Sequence, residues 1–205
     1  MEPVTIIYSI VILIMSVVIH EVAHGAMANA LGDPTAKLQG RLTLNPIRHL
    51  DPFGSVILPT ILILSNSPFL LGWAKPVPYN PYGLTKGGKY AEALVASAGI
   101  FANFVLAITF AFIFRLGLIP SIATEPAFYI VLINILLGFF NLIPVPPLDG
   151  SKILYTLLPL PIQQKIKPLY HNQMLPVVFI ILFLFVFGNI FVNFTFKIAS
   201  FLIGS

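Results

Sequence analysis

No cysteine occurs among the 205 residues. Disulfides, cysteine-ligated zinc knuckles and thiol catalysis are thereby excluded. Charge is almost as scarce: Asp, Glu, Lys and Arg together make up 9% of the chain, against about 25% in ordinary soluble domains. So few charges cannot cover the surface of a water-soluble domain of this size. Histidine occurs four times, too few for a membrane di-iron oxidase or desaturase built on histidine boxes. A basic stretch is also missing ahead of the first apolar run, which opens with MEPVT. The expectation is that the first segment is retained and is not a cleaved signal peptide.

What the chain has in excess is apolar surface: 58% hydrophobic residues and a mean hydropathy of +0.95. The composition defines an α-helical integral membrane protein, organised as a single domain over residues 1–205. The net charge of +4 fits lysines and arginines beside a bilayer and gives no reason to expect nucleic acid as a partner. Four segments are long enough to cross about 30 Å of hydrocarbon as helices. They run from Val4 to about Leu31, Glu92 to about Leu118, Pro126 to about Ile143, and Met174 to about Phe196. A fifth apolar stretch, residues 55–73, is divided by Pro59 and by SNSP into pieces too short to span, giving four to five spans in all. Short Pro- and Gly-rich loops at 32–54, 74–91, 119–125 and 144–173 join these segments. Within the first loop, Leu38, Leu42 and Leu44 alternate with Lys37, Gln39 and Arg41, which predicts a short β-strand over 36–44.

The first apolar segment runs directly into HEVAH, residues 20–24. Helical residues four apart share a face, so His20 and His24 can aim imidazole nitrogens at one ion while Glu21 sits at the edge of that face. The pattern is that of a zinc-binding metallopeptidase helix, in which two neutral histidines ligate and the glutamate handles a water. Its depth sharpens the reading. An ionisable group at membrane depth costs at least about 2.5–3.5 kcal/mol without a partner, and three occur here within one turn.

A hydrolytic zinc site takes three protein ligands and leaves one position for water. From the residues alone the third ligand is open among His49, His171, Asp33, Asp51 and Asp149. Asp149 closes NLIPVPPLDG, residues 141–150, immediately after an apolar segment. Its prolines end the helix and extend the backbone, and Gly150 permits a tight turn. Irregular backbone at such depth is tolerated where it is buried in protein or lines a wet cavity.

Together, HEVAH on the first segment, GIFAN (99–103) on a middle one and NLIPVPPLDG on a later one resemble the site-2 protease family of intramembrane zinc metalloproteases. The three match, in order, the patterns H-E-x-x-H, G-x-x-x-N and N-x-x-P-x-P-x-x-D-G. The family core would cover roughly residues 4–158, followed by a C-terminal membrane segment at 174–203. The resemblance is to the compact branch without PDZ or CBS domains. It implies one zinc ion held by His20, His24 and Asp149, Glu21 as catalytic base, and Asn141 orienting the substrate backbone or stabilising the oxyanion. Gly99 and Asn103 form a small-xxx-polar face suited to close helix approach. The implied activity is hydrolysis of a peptide bond in or near the transmembrane segment of a membrane-protein substrate. Regulated intramembrane proteolysis and removal of remnant signal peptides are its usual settings. The competing class is a non-catalytic membrane adaptor or transporter that keeps the scaffold, against which the intact Glu21 and Asp149 argue.

Topology follows from the ligand set. One ion can join the end of the first segment to Asp149 only if the first and the 126–143 segments run in the same direction through the membrane. Residues 55–73 then make no complete crossing, which predicts a re-entrant hairpin turning at SNSP. Nine of the eleven Lys and Arg would share one face, leaving Arg115 and Lys197 on the other. By the positive-inside rule the crowded face is cytoplasmic, in a bacterial or archaeal cell membrane. The strand over 36–44 is expected to present a free edge to an unwound substrate.

Overall fold

The computed structural model describes residues 3–57, 60, 61, 64, 74–171 and 174–204. Helix α1 spans Pro3–Ala30 and draws on an apolar run free of Gly and Pro up to His24. It ends where Gly32 adopts φ 111°, which lets the Asp33 amide turn back to the Ala28 carbonyl at 2.9 Å. A single helical turn, α2, follows at Thr35–Leu38.

This turn corrects the strand expected over 36–44: among the described residues there is no strand, only an isolated antiparallel bridge between Leu50 and Ala74. Local capping outweighs the alternation. The Asp33 carboxylate accepts from the Thr35 amide and hydroxyl, Pro34 fixes φ ahead of the turn, and Gly40 at φ 62° returns the Arg41 amide to Ala36 O. Ala36 is buried while Leu38 is 81% exposed, the burial pattern of a turn packed against α1.

Helix α3 (Ala91–Arg115) runs antiparallel to α1, since His24 meets Val95 and Ser16 meets Asn103. Helix α4 (Thr124–Leu142) runs parallel to α1, with Thr5 bonded to Glu125 and Ser16 to Asn134. Two short helices occupy the segment expected to be a loop over 144–173: α5 (Asp149–Leu157) and α6 (Leu160–His171). Helix α7 (Met174–Ile203) is one continuous element. Arg115, at the end of α3, donates from Nε to the Leu202 carbonyl at 2.6 Å and from its guanidinium to Phe201 O. It thereby caps the last turn of α7.

Among the described residues, four helices are long and apolar enough to cross a membrane: Pro3–Ala30, Gly88–Arg115, Ser121–Leu142 and Val178–Ile203. Ala107, Ala111, Val131, Ile135 and Ala199 form a core between α3, α4 and α7. Their small volumes allow close helix approach, and edge-to-face pairs such as Phe104–Phe139 and Phe128–Phe196 fill the flanks. The outward faces are apolar as well, as Phe101 and Phe185 illustrate. That arrangement buries a core and still meets lipid.

The chain between α1 and α3 returns to the end it left: the Lys86 amide donates to Leu31 O and the Asn80 amide to the Asp33 carboxylate. The turn at SNSP expected for the re-entrant hairpin lies outside the described residues.

Candidate metal centre

Three buried side chains converge where the last turns of α1 meet the start of α5: His20, His24 and Asp149. The i, i+4 spacing stacks the two imidazoles on one face of α1, and the Pro-rich stretch after α4 swings Asp149 back towards them. His20 Nε2, His24 Nε2 and Asp149 Oδ2 form a triangle with every side 3.0 Å. Three donor atoms this close together can share one ion, and two imidazole nitrogens with a carboxylate oxygen are a donor set suited to zinc.

The hydrogen bonds behind the rings fit the same group. His24 Nδ1 lies 2.7 Å from the Val95 carbonyl, which can only accept, so Nδ1 carries a proton; in the neutral ring that leaves Nε2 as a lone pair. Nε2 faces Asp149 Oδ2 at 3.0 Å, so a neutral ring and an ionised carboxylate there form a pair of acceptors that a cation can bridge. His20 Nδ1 is likewise bonded, to Asn103 Oδ1 at 2.7 Å. Ligating histidines characteristically donate their second ring nitrogen in this way. The residues present therefore fit a zinc ion.

Asp149 lies outside the membrane-spanning helices. Burial opposes its ionisation, but the adjoining imidazoles and the charge of Lys152 outweigh it and hold the carboxyl well below the usual range. Its other oxygen, Oδ1, accepts from Lys152 Nζ at 3.2 Å, which leaves Oδ2 for the cluster. Gly150 allows this approach: a Cβ there would stand 2.2 Å from the Leu142 carbonyl oxygen.

Glu21, half-buried beside the cluster, accepts through Oε2 from the Val77 amide at 2.8 Å. Val77 belongs to an extended segment held from below by Arg41, whose Nη2 donates to the Lys75 and Pro76 carbonyls. Asn141 is half-buried near the end of α4 and donates from Nδ2 to Leu137 O at 3.0 Å. No hydrogen bond joins it to the cluster among the described residues.

The other third-ligand candidates lie elsewhere. His49 is buried with Nε2 on Thr43 O at 2.8 Å, Asp33 anchors the turn after α1, and Asp51 accepts from the Phe53 and Gly54 amides. The His171 side chain lies outside the described residues. Two groups that the spacing of motifs did not point to, Ser16 and Asn134, sit directly behind Asn103. An amide in the middle of the apolar run of α4 is the available signal for Asn134.

The four spans and this cluster define an integral membrane protein whose His-His-Asp centre resembles a zinc site. Residues 117–186 match the model of peptidase family M50. The chain is 38% identical over 191 residues to "Putative zinc metalloprotease YwhC" of Bacillus subtilis, covering 89% of this chain and 82% of that protein. It is 33% identical over 145 residues to "Putative zinc metalloprotease Rip2" of Mycolicibacterium smegmatis, and 29% identical over 139 residues to the Mycobacterium tuberculosis protein of the same name. Each of those alignments covers 67% of this chain and 52% of the relative. No solved structure matches the chain. The chain belongs to peptidase family M50, the site-2 protease family of zinc metalloproteases.

Proposed function

We propose that the protein is an intramembrane zinc endopeptidase that hydrolyses a peptide bond within or near the transmembrane segment of membrane-protein substrates. The observation that carries this reading is the triangle of His20, His24 and Asp149 at one end of α1 in a bundle of apolar spans. His20, His24 and Asp149 are the ligands in this reading. A zinc ion held by these three side chains would supply Lewis acidity and lower the pKa of water at the site.

Glu21 accepts the proton of the attacking water and delivers it to the leaving amine nitrogen. The Val77 amide fixes one carboxylate oxygen and leaves the other to carry that proton. Asn141 commits one amide hydrogen to Leu137 O and has a second to offer a substrate carbonyl or the developing oxyanion.

A transmembrane helix hides its carbonyls in internal hydrogen bonds, so the substrate must unwind locally first. Gly, Pro, Asn or Ser near the scissile bond therefore marks the substrate class. The protein lies in the cell membrane with the metal-proximal end of α1 towards the cytoplasm, where nine of eleven Lys and Arg gather.

The test is co-expression of the wild type or Glu21→Gln with a panel of single-pass membrane proteins carrying such residues. Cleavage by the wild type alone is the expected result. Equal processing by both forms, or function retained in the Glu21→Gln form, would instead identify an adaptor or transporter.

A further inference from the structure

Behind the cluster runs a buried chain of amides with a single direction. Asn103 and Asn134 are completely buried and Ser16 nearly so, all at membrane depth. Asn134 Nδ2 lies 2.9 Å from the Ile130 carbonyl and 2.9 Å from Ser16 Oγ. A carbonyl only accepts, so the amide nitrogen of Asn134 must stand on that side and Oδ1 on the other. Oδ1 then needs a donor, and Asn103 Nδ2 supplies it at 2.8 Å. Asn103 Nδ2 also lies 3.5 Å from Ser16 O, too long to orient the amide unaided. With its nitrogen so engaged, Asn103 turns Oδ1 to His20 Nδ1 at 2.7 Å. The ring must carry a proton there, and in the neutral imidazole Nε2 is then left as a lone pair directed into the cluster.

We infer that Asn134 is a positioning residue of the metal centre: through Asn103 it imposes on His20 the tautomer that can ligate, with the Ile130 carbonyl as the fixed end of the chain. The inference rests on the reading of His20 as a zinc ligand. His24 needs no such relay, because a backbone carbonyl faces its Nδ1 directly. His20 faces a side-chain amide that could otherwise turn either way, and reversal would set the Asn103 nitrogen against a ring nitrogen. Asn103 is completely buried, so bulk solvent is no alternative partner for its amide.

The experiment is zinc competition against a chromophoric chelator, on the full chain in detergent, as a double-substitution cycle. Asn134→Leu removes the donor and acceptor at similar volume and should weaken zinc binding by about tenfold or more, the usual cost of losing an outer-shell partner. Asn134→Asp should stay near wild type, because a protonated carboxyl donates to Ile130 O and accepts from Asn103. The decisive arm is the Asn103→Asp background. A carboxylate accepts from His20 Nδ1 whichever way it is turned, so Asn134→Leu should there cost less than about threefold. A role in packing alone predicts the same loss in both backgrounds, and that result overturns the relay.

Ser16→Ala guards against a leucine variant that does not accumulate. Ile130 O still fixes the Asn134 amide, so affinity should stay within about threefold. A tenfold loss there contradicts the assigned polarity. Wild-type protein that binds no zinc refutes the metal-site reading itself, which is a different result from zinc binding that ignores Asn134.

Discussion

Gly99 of α3 faces the His24 imidazole so closely that a Cβ at that position would stand 2.6 Å from His24 Nε2 and 2.7 Å from His20 Cε1. The rings cannot rotate away, because their Nδ1 atoms are bonded to Val95 O and Asn103 Oδ1, both on the same helix. A methyl group must therefore push α3 off α1 and carry those two acceptors with it. Gly99→Ala is expected to lose at least about tenfold in zinc affinity, with an overpacking cost of about 1–3 kcal/mol in stability. Gly188→Ala is the control, since a Cβ there meets nothing within 4 Å. Zinc titration and thermal melting of both variants decide the matter. A Gly99→Ala protein with wild-type affinity would show that the helix contact does not hold the site.

Val77 is the single N–H donor in Pro76–Val77–Pro78, because the flanking prolines have none. Its amide holds Glu21, and the tether of the segment by Arg41 keeps it there. Val77→Pro removes this hydrogen bond to a charged group, worth about 1.5–3 kcal/mol. The expected result is a fall of roughly ten- to a hundredfold in kcat with zinc content unchanged. Val77→Ala keeps the amide and loses packing beside Gly25, so it should lower the melting temperature yet retain kcat. If the two variants lose activity equally, the amide does not position Glu21.

Much of this is legible in the sequence, for identifiable reasons. Spans follow from hydropathy, and His20 and His24 follow from a spacing that permits one geometry on a helix. Asp149 was not separable from four other candidates by its residues alone, because the path that brings it back depends on the turn after α4. Only the resemblance of NLIPVPPLDG selected it. The Val77 amide left no trace, since a backbone donor has no side-chain code. Ser16 looks like any small residue on an apolar helix. The strand over 36–44 failed for a different reason: alternation across so few residues is weaker than an Asp33 cap, Pro34 and a left-handed Gly40 acting together.

Asp33 gives the protein an acid-sensitive contact outside the membrane. Burial opposes its ionisation, but hydrogen bonds from the Thr35 hydroxyl, the Asn80 amide and the Thr35 amide prevail and lower its pKa from 3.8. A folded-state pKa below the unfolded one contributes stability that is fully present above the unfolded value of about 3.9 and is lost as pH falls through the folded value. Asp33→Asn should therefore melt lower than wild type at pH 7 and show a smaller further decrease between about pH 5 and about pH 3. Melting curves across this range provide the check. Parallel pH profiles for the two proteins would mean that the carboxylate contributes nothing through ionisation.

The helix directions make a prediction that the absence of cysteine renders easy to test. Antiparallel α1 and α3 place the turn after α1 and the segment before α3 at one end of the bundle, joined by Lys86 N to Leu31 O and Asn80 N to Asp33. The connection between α3 and α4 lies at the other end, and Arg115 ties the last turn of α7 to it. Lys37, Arg41, Arg48, Lys75, Lys86, Lys89, Lys152, Lys165 and Lys167 fall at the first end, Arg115 and Lys197 towards the second. By the positive-inside rule the first end is expected in the cytoplasm. Single substitutions Gln39→Cys, Thr85→Cys and Ser121→Cys then need no background removal before labelling intact cells with an impermeant maleimide. Ser121→Cys should label at once, and the other two only after permeabilisation. Labelling of Thr85→Cys alone from outside would break the pairing of α1 with α3. Labelling of Gln39→Cys and Thr85→Cys together, with Ser121→Cys protected, would keep the fold and reverse its orientation, placing the metal centre nearer the outer face.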